Sequence, residues 1–163
     1  MFFIGKHLII LIIAIFVYGC SNNKNTENEQ ISSRSPELDY IEAKELLDNK
    51  KIDLALSAFK NVEKKYPVSN WAIRSKLMII FIYYLQLDYQ NASINIDKFI
   101  SKYPDHKDID YAYYLRAQVA YEQINNPELD TSQTRKSLNY FEELSRRFPN
   151  SKYSKDGKQK IHL

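Results

Sequence analysis

Three aromatic–proline steps, Tyr66-Pro67, Tyr103-Pro104 and Phe148-Pro149, recur in register with the apolar residues before them. Proline lacks the N–H that would continue a helix, and it pushes its predecessor out of helical geometry, so each step closes the segment ahead of it. Aligned on these prolines, Ile52, Tyr89 and Thr134 fall in one column and Ala55, Ala92 and Ser137 in the next. Phe59, Ile96 and Phe141 make a third column, and Val62, Phe99 and Leu144 a fourth. Columns three or four residues apart trace one face of an α-helix. Pro67 and Pro104 stand 104 − 67 = 37 residues apart, and Pro104 and Pro149 stand 149 − 104 = 45 apart. The extra residues fall between Gln123 and Gln133, where Asn125-Asn126-Pro127 marks a loop. Partner helices are expected ahead of the three, over Glu37 to Asn49, Trp71 to Gln86 and Ile109 to Gln123. The first opens at Ser35-Pro36, with Glu37 and Asp39 placed to favour the positive end of the helix dipole. A random amphipathic bundle would share the apolar spacing but not the registered prolines. The expected fold is all-α, a solenoid of about three helix pairs.

Composition removes most chemistry. Gly5 and Gly19 precede Cys20, and beyond them the chain holds a single glycine, Gly157. Phosphate loops and dinucleotide-binding turns need glycines where backbone approaches phosphate, so neither can be built here. One cysteine excludes an internal disulfide framework and a multi-cysteine zinc site. The net charge is +3 and the basic residues are interspersed with acidic ones, without the clustered stripe of a nucleic-acid-binding surface. His106 and His162 have no nucleophile or metal ligand at useful spacing and read as free, solvated side chains. Asp105, Asp108 and Asp110 fit capping of the helix that follows better than a metal loop. Lys64-Lys65 and Arg146-Arg147 suit the last turns of their helices. The expectation is a protein that is not an enzyme and holds no metal and no cofactor.

The N-terminus sets the compartment. After Lys6, Leu8 to Tyr18 runs without a charge and spans about 16 Å as a helix, roughly half a bilayer core. It is too short to stay in a membrane and fits the apolar region of a secretory signal peptide over residues 1–19. A buried core helix would show a polar stripe, which this run lacks. The next residues, Val17-Tyr18-Gly19-Cys20-Ser21, resemble the lipobox of bacterial lipoproteins, with Tyr18 a departure from its usual small or aliphatic residue. The resemblance implies cleavage before Cys20 and a covalent lipid on its thiol and amine. The alternative is an ordinary apolar cysteine at the end of a signal peptide. Several acyl chains give stable membrane attachment, and Ser21, not Asp, in second place implies release to the outer membrane. Ser21 to Ser35, with Ile31 its one aliphatic residue, is too polar to order itself and reads as a flexible tether. The helical repeat domain then covers 36–163.

Helix pairs with a period in the mid-thirties, small residues Ala43 and Ala117 at the crossing and a closing proline resemble the tetratricopeptide repeat. The second unit carries Ile80 at the small position, which predicts a slightly wider crossing. In such repeats the first helix of each pair lines the concave face. That face takes Tyr40, Lys44 and Leu47 from the first unit, then Arg74, Leu77, Phe81 and Tyr84 from the second. The third unit contributes Tyr111, Tyr114, Gln118 and Tyr121. Aromatic rings with one or two cations suit an extended peptide ending in an aromatic residue and a carboxylate. Leu47, Leu77 and Phe81 fit core packing better than binding, and for each tyrosine, with a hydroxyl to keep wet, the two roles weigh equally.

A lipobox, a polar tether and repeats closing in aromatic–proline resemble the BamD family of outer-membrane assembly lipoproteins, from Cys20 to the C-terminus. The most specific residues are Asp130-Thr131-Ser132-Gln133-Thr134-Arg135 and Phe148-Pro149-Asn150-Ser151-Lys152-Tyr153-Ser154-Lys155-Asp156. The resemblance implies a periplasm-facing, non-catalytic subunit of the machinery that inserts β-barrel proteins. Its implied partners are a BamA-type barrel subunit, other Bam components and unfolded outer-membrane proteins received on the N-terminal repeats. Family members carry more repeats than this chain, and Gly157 to Leu163 is placed to begin another helix. The alternative is a structural or pilotin-like repeat lipoprotein that positions another envelope complex. Cys20→Ala is expected to abolish metabolic labelling with palmitate and to leave the uncleaved, globomycin-insensitive precursor. Continued labelling of that variant would show that Cys20 is not the anchor.

Overall fold

A computed structural model describes residues 34–124 and 131–161. The signal peptide 1–19, Cys20, the tether up to Ser33, the Asn125-Asn126-Pro127 loop with Asp130, and His162 lie outside the described residues. Ser35 to Leu163 forms one compact unit. Its helices are α1 Pro36–Asp48, α2 Ile52–Lys65, α3 Asn70–Leu85, α4 Tyr89–Lys102, α5 Ile109–Glu122, α6 Thr131–Arg147 and α7 Lys152–Ile161. No strand occurs among the described residues, and none of these helices is long and apolar enough to cross a membrane.

Each helix packs on the next, and the first helices α1, α3, α5 and α7 also touch one another in sequence. The second helices α2, α4 and α6 make no such contact among the described residues. This is the layering of a tetratricopeptide-like solenoid, with first helices forming a continuous inner layer. The columns read from the sequence make the core. Phe59, Ile96 and Phe141 are at most 1% exposed, and Val62, Phe99 and Leu144 at most 2%. Ala55, Ala92 and Ser137 are equally buried, while Ile52, Tyr89 and Thr134 sit at half-depth near the helix starts. Burial of each large apolar side chain is worth about 2 kcal/mol. Ala43, Ile80 and Ala117 are all buried at the crossing.

The three aromatic–proline steps form one turn used three times. Tyr66 and Tyr103 leave their helices at φ −129° with ψ 55° and 54°. The carbonyls of Tyr66, Tyr103 and Phe148 accept from the N–H groups of Ser69, His106 and Ser151 at 2.9, 3.1 and 3.0 Å. Proline fits the second position of such a turn, where its fixed φ is already correct. Ser35 and Ser69 then cap α1 and α3, accepting from Leu38 and Ala72 N–H groups at 3.2 and 3.0 Å. Lys64 and Lys65 end α2, and Arg146 and Arg147 end α6, as the dipole favours.

Two features depart from the sequence reading. The last helix starts at Lys152, five residues before Gly157, because Ser151 N–H donates the turn hydrogen bond to the Phe148 carbonyl and its Oγ accepts from Tyr153 N–H at 3.1 Å. Three pairs are therefore followed by the first helix of a fourth unit. Gly157 lies inside that helix, where a Cβ would stand 2.9 Å from Phe141 Cδ1, and the repeat-equivalent Ser75 and Ala112 are also small and buried.

The second departure is at the turns within pairs. Lys50 and Leu87 both adopt φ 60°, the left-handed region usually given to glycine. Each follows a helix end whose last carbonyls are closed by two crossed bonds: Lys50 N–H to Leu47 O and Lys51 N–H to Leu46 O, each 2.9 Å. Leu87 and Asp88 repeat this with Tyr84 and Tyr83 at 3.0 and 2.9 Å. The motif normally takes glycine at its left-handed position. A β-carbon there costs about 1–2 kcal/mol, part of which glycine returns through its freer unfolded chain. Leu87 is 68% exposed, so its side chain contributes little packing in return. Leu87→Gly is expected to raise stability by about 0.5–1 kcal/mol in denaturant unfolding. Destabilisation would show that the exposed leucine makes a contact that outweighs the backbone strain.

Candidate functional site

The inner layer carries the aromatic face. Because the first three units share a 37-residue spacing, Tyr40, Leu77 and Tyr114 occupy equivalent positions on α1, α3 and α5, one turn from Lys44, Phe81 and Gln118. Tyr40, Arg74, Phe81 and Tyr111 come together around a cavity of about 410 Å³. Leu77 and Met78 floor it, Lys107 and Asp108 enter from the α4–α5 turn, and Tyr153 closes it from α7.

The rings run as a ladder. Phe81 lies 6.5 Å from Tyr84 and 6.4 Å from Tyr111, centre to centre. Tyr111 stacks on Tyr114 at 6.4 Å and 23°, and Tyr153 rests 5.0 and 5.1 Å from that pair. At the α1 end Tyr40 is held 5.0 Å from Trp71 and 5.4 Å from Phe59. Arg74 lies 4.7 Å over the Trp71 ring. Among the described residues no carboxylate or other acceptor engages its guanidinium. Its flat side chain is thereby fixed while its donors stay open toward a ligand.

Burial keeps the tyrosines protonated. It pushes Tyr111 well above the ordinary phenol range, with Tyr153 and Tyr114 adding to the effect. Tyr114 is pushed up to about 12, first by burial and then by its hydrogen bond to Asp156. Tyr40 and Tyr84 are raised for the same leading reason, opposed at Tyr40 by Arg74. The face therefore offers neutral O–H groups at physiological pH. Tyr114 donates to Asp156 Oδ2 at 2.7 Å and accepts from Gln118 Nε2, and Tyr84 donates to Glu122 Oε1 at 3.3 Å.

The structure sorts the residues expected on this face. Leu77 and Gln118, 3% and 5% exposed, belong to the core side of their helices. Leu47 packs with Tyr40 against the Phe59 cluster, and Lys44 turns outward to Asp48. Tyr121 does not line the cavity: its ring meets Phe141 edge-on at 6.3 Å, with Lys160 4.7 Å above it. Tyr153, Lys107 and Asp108 are the additions. Tyr153 stood in the distinctive string after Phe148, but its helix was expected to begin later. Lys107 and Asp108 reach the groove only because the α4–α5 turn folds beside α3.

Comparison with known proteins bears on the whole helical unit. Residues 33–163 match the family YfiO, described as outer membrane lipoprotein. A protein of Caulobacter vibrioides named outer membrane protein assembly factor BamD is 31% identical over 94% of this chain and 50% of its own length. Proteins of the same name from Rickettsia prowazekii and Neisseria meningitidis are 32% and 31% identical, over 94% and 72% of this chain. They are covered over 60% and 48% of their lengths, so the chain spans about half the length of these curated relatives.

His106, in the turn that brings Lys107 to the groove, is not the free, solvated histidine expected. Its side chain is 12% exposed and its ring meets Phe99 edge-on at 5.6 Å. Nδ1 accepts from Asp108 N–H at 3.2 Å, so the imidazole, rather than the Asp108 carboxylate, closes the start of α5. Asp110 instead accepts from Tyr111 N–H at 2.8 Å and from Ser151 Oγ at 2.6 Å, tying α5 to the next turn. Burial holds His106 below its ordinary value of 6.5, with Asp108 partly opposing. Unfolding then takes up a proton, so this contribution is complete above about pH 6.5 and is lost as pH falls through it. The denaturation midpoint is expected to drop between about pH 7.5 and 5.5, with a smaller drop in His106→Phe. Equal drops in the two proteins would exclude His106 as the source.

Proposed function

The chain belongs to the YfiO family of outer membrane lipoproteins, and from that premise we propose that it is an assembly factor for outer membrane proteins. In this reading it is a non-catalytic scaffold. The signal peptide 1–19 is removed, lipid on Cys20 anchors it facing the periplasm, and residues 20–35 tether the helical unit. Its partners are a BamA-type barrel subunit, other Bam components and unfolded barrel proteins on their way to the membrane.

The observation that carries the reading is Arg74, fixed over Trp71 with no acceptor among the described residues, at the edge of a cavity walled by Tyr40, Phe81 and Tyr111. An unfolded barrel protein presents extended strands with aromatic side chains on alternate positions and, at its end, a carboxylate. A ring seated among aromatic walls gains about 0.5–1.5 kcal/mol per pair beyond simple burial. A carboxylate meeting Arg74 in the fork geometry gains a charge-assisted pair, with Lys107 adding a second cation. The protonated hydroxyls of Tyr40 and Tyr111, on the cavity wall, supply donors for backbone carbonyls that a lone strand leaves open. Several weak contacts along an aromatic ladder suit a ligand that must later be passed on.

The test is fluorescence anisotropy with the full-length lipidated chain in detergent and a labelled peptide ending in Tyr-Gln-Phe with a free carboxylate. Amidating the peptide, or Arg74→Ala, is expected to weaken binding by about tenfold or more, the range of a lost charged hydrogen bond. Binding unaffected by both changes would contradict the proposed role of the groove.

A further inference from the structure

Because α2, α4 and α6 make no contact with one another among the described residues, two gaps open between them on the side of α3 and α5 opposite the aromatic groove. The repeat makes these gaps equivalent: Ile79 on α3 corresponds to Arg116 on α5, Asn95 on α4 to Tyr140 on α6, and Lys98 to Glu143. The chain fills the second gap itself. Arg116 lies 4.6 and 4.4 Å from the ring centres of Tyr113 and Tyr140, pairs with Glu143, and is only 17% exposed.

The first gap has lost the arginine, the rings and the acid of that plug and keeps only its outer cation, Lys102, where the second has Arg147 paired with Glu143 and lying over Tyr113. Ile79 ends short of the opening, Asn95 offers no ring, and a cavity of about 650 Å³ remains over Ile79, Ile80 and Phe99. On its wall the position of the acid is held by Lys98, with Lys102 one turn further along. Among the described residues no ion pair engages either lysine. Lys76 and Glu63 at the opposite edge are already paired with each other, Asp97 is the other acid of the lining, and Lys102 lies 5.5 Å from the Tyr103 ring centre. In the second gap Arg116 from the floor and Arg147 from the wall converge on Glu143; in the first Lys98 stands where that acid was, Lys102 keeps the place of Arg147, and the floor supplies no charge. The complementary group is an acid that comes from outside, carried beside an apolar side chain that covers the floor.

We infer that the gap between α2 and α4 is a docking site for an acidic segment of a partner protein. An apolar side chain of that segment sits on Ile79 and Ile80, and its carboxylates meet Lys98 and Lys102. The site is separate from the aromatic groove, so both can be occupied at once.

The test uses the full-length lipidated chain in detergent and a fluorescein-labelled, amidated peptide of alternating Glu and Phe. Lys98→Glu is expected to weaken binding about tenfold, because it turns attraction into repulsion at the rim. Ile79→Arg combined with Lys98→Glu restores the ion pair of the second gap across the first, and is expected to abolish binding. Arg74→Ala, in the aromatic groove, is expected to leave this binding unchanged. Lys98 is exposed, so its single variant folds and carries the test even where the double variant does not. The proposal is overturned by failure of the parent to bind, by unchanged binding to Lys98→Glu, or by loss of binding in Arg74→Ala. It is equally overturned if phosphatidylglycerol vesicles bind in a Lys98-dependent way and the peptide does not.

Discussion

The angle between one helix pair and the next is set by a single turn, in which an aromatic residue's carbonyl accepts from the N–H three residues on across a proline. Near-identical backbone angles at Tyr66 and Tyr103 mean that the second and third pairs are entered through the same turn geometry. Repeating that turn keeps α1, α3, α5 and α7 in contact while, among the described residues, α2, α4 and α6 make no contact with one another. The aromatic residue of the turn also has a packing role: Tyr103 lies 5.2 Å from Phe99, and Phe148 lies 5.3 Å from Tyr113. Turn geometry and core packing therefore reinforce each other at the same residues, which is the local and global consistency expected of a well-specified fold.

From that repeated turn come two surfaces of different character. The inner layer is a ladder of rings whose hydroxyls burial keeps protonated, with Arg74 and Lys107 at one edge. The outer side is a pair of gaps, one plugged by Arg116 and one open above Ile79. The same repeat position thus holds a structural ion pair in one unit and an accessible basic slot in another. Repeat proteins tolerate this because each unit contacts chiefly its neighbours, so one gap can change without disturbing the rest.

Much of the fold was legible because its signals are local and periodic. The columns headed by Phe59 and Val62 depend only on helical spacing, and the registered prolines fixed their phase. The left-handed turns at Lys50 and Leu87 were not legible, since the residue that normally marks them is absent and the strain is offset by the crossed hydrogen bonds around it. The early start of α7 was hidden because Gly157 reads as a helix boundary, whereas it is there to let α7 approach Phe141. At the groove, Tyr40, Arg74, Phe81 and Tyr111 followed from register alone. Tyr153, Lys107 and Asp108 did not, because they arrive from a turn and a later helix through tertiary packing. His106 was misjudged for a similar reason: sequence neighbours do not show that Phe99 covers it.

The central claim is that the inner groove serves assembly of outer membrane proteins. Its most direct measurement is the amount of folded β-barrel protein in the outer membrane after depletion of this chain, with rescue by groove variants. The account predicts that depletion lowers barrel levels, that the parental chain restores them, and that an Arg74→Glu, Phe81→Ser variant of normal abundance does not. Unchanged barrel levels on depletion, with loss of a different envelope complex, would contradict it.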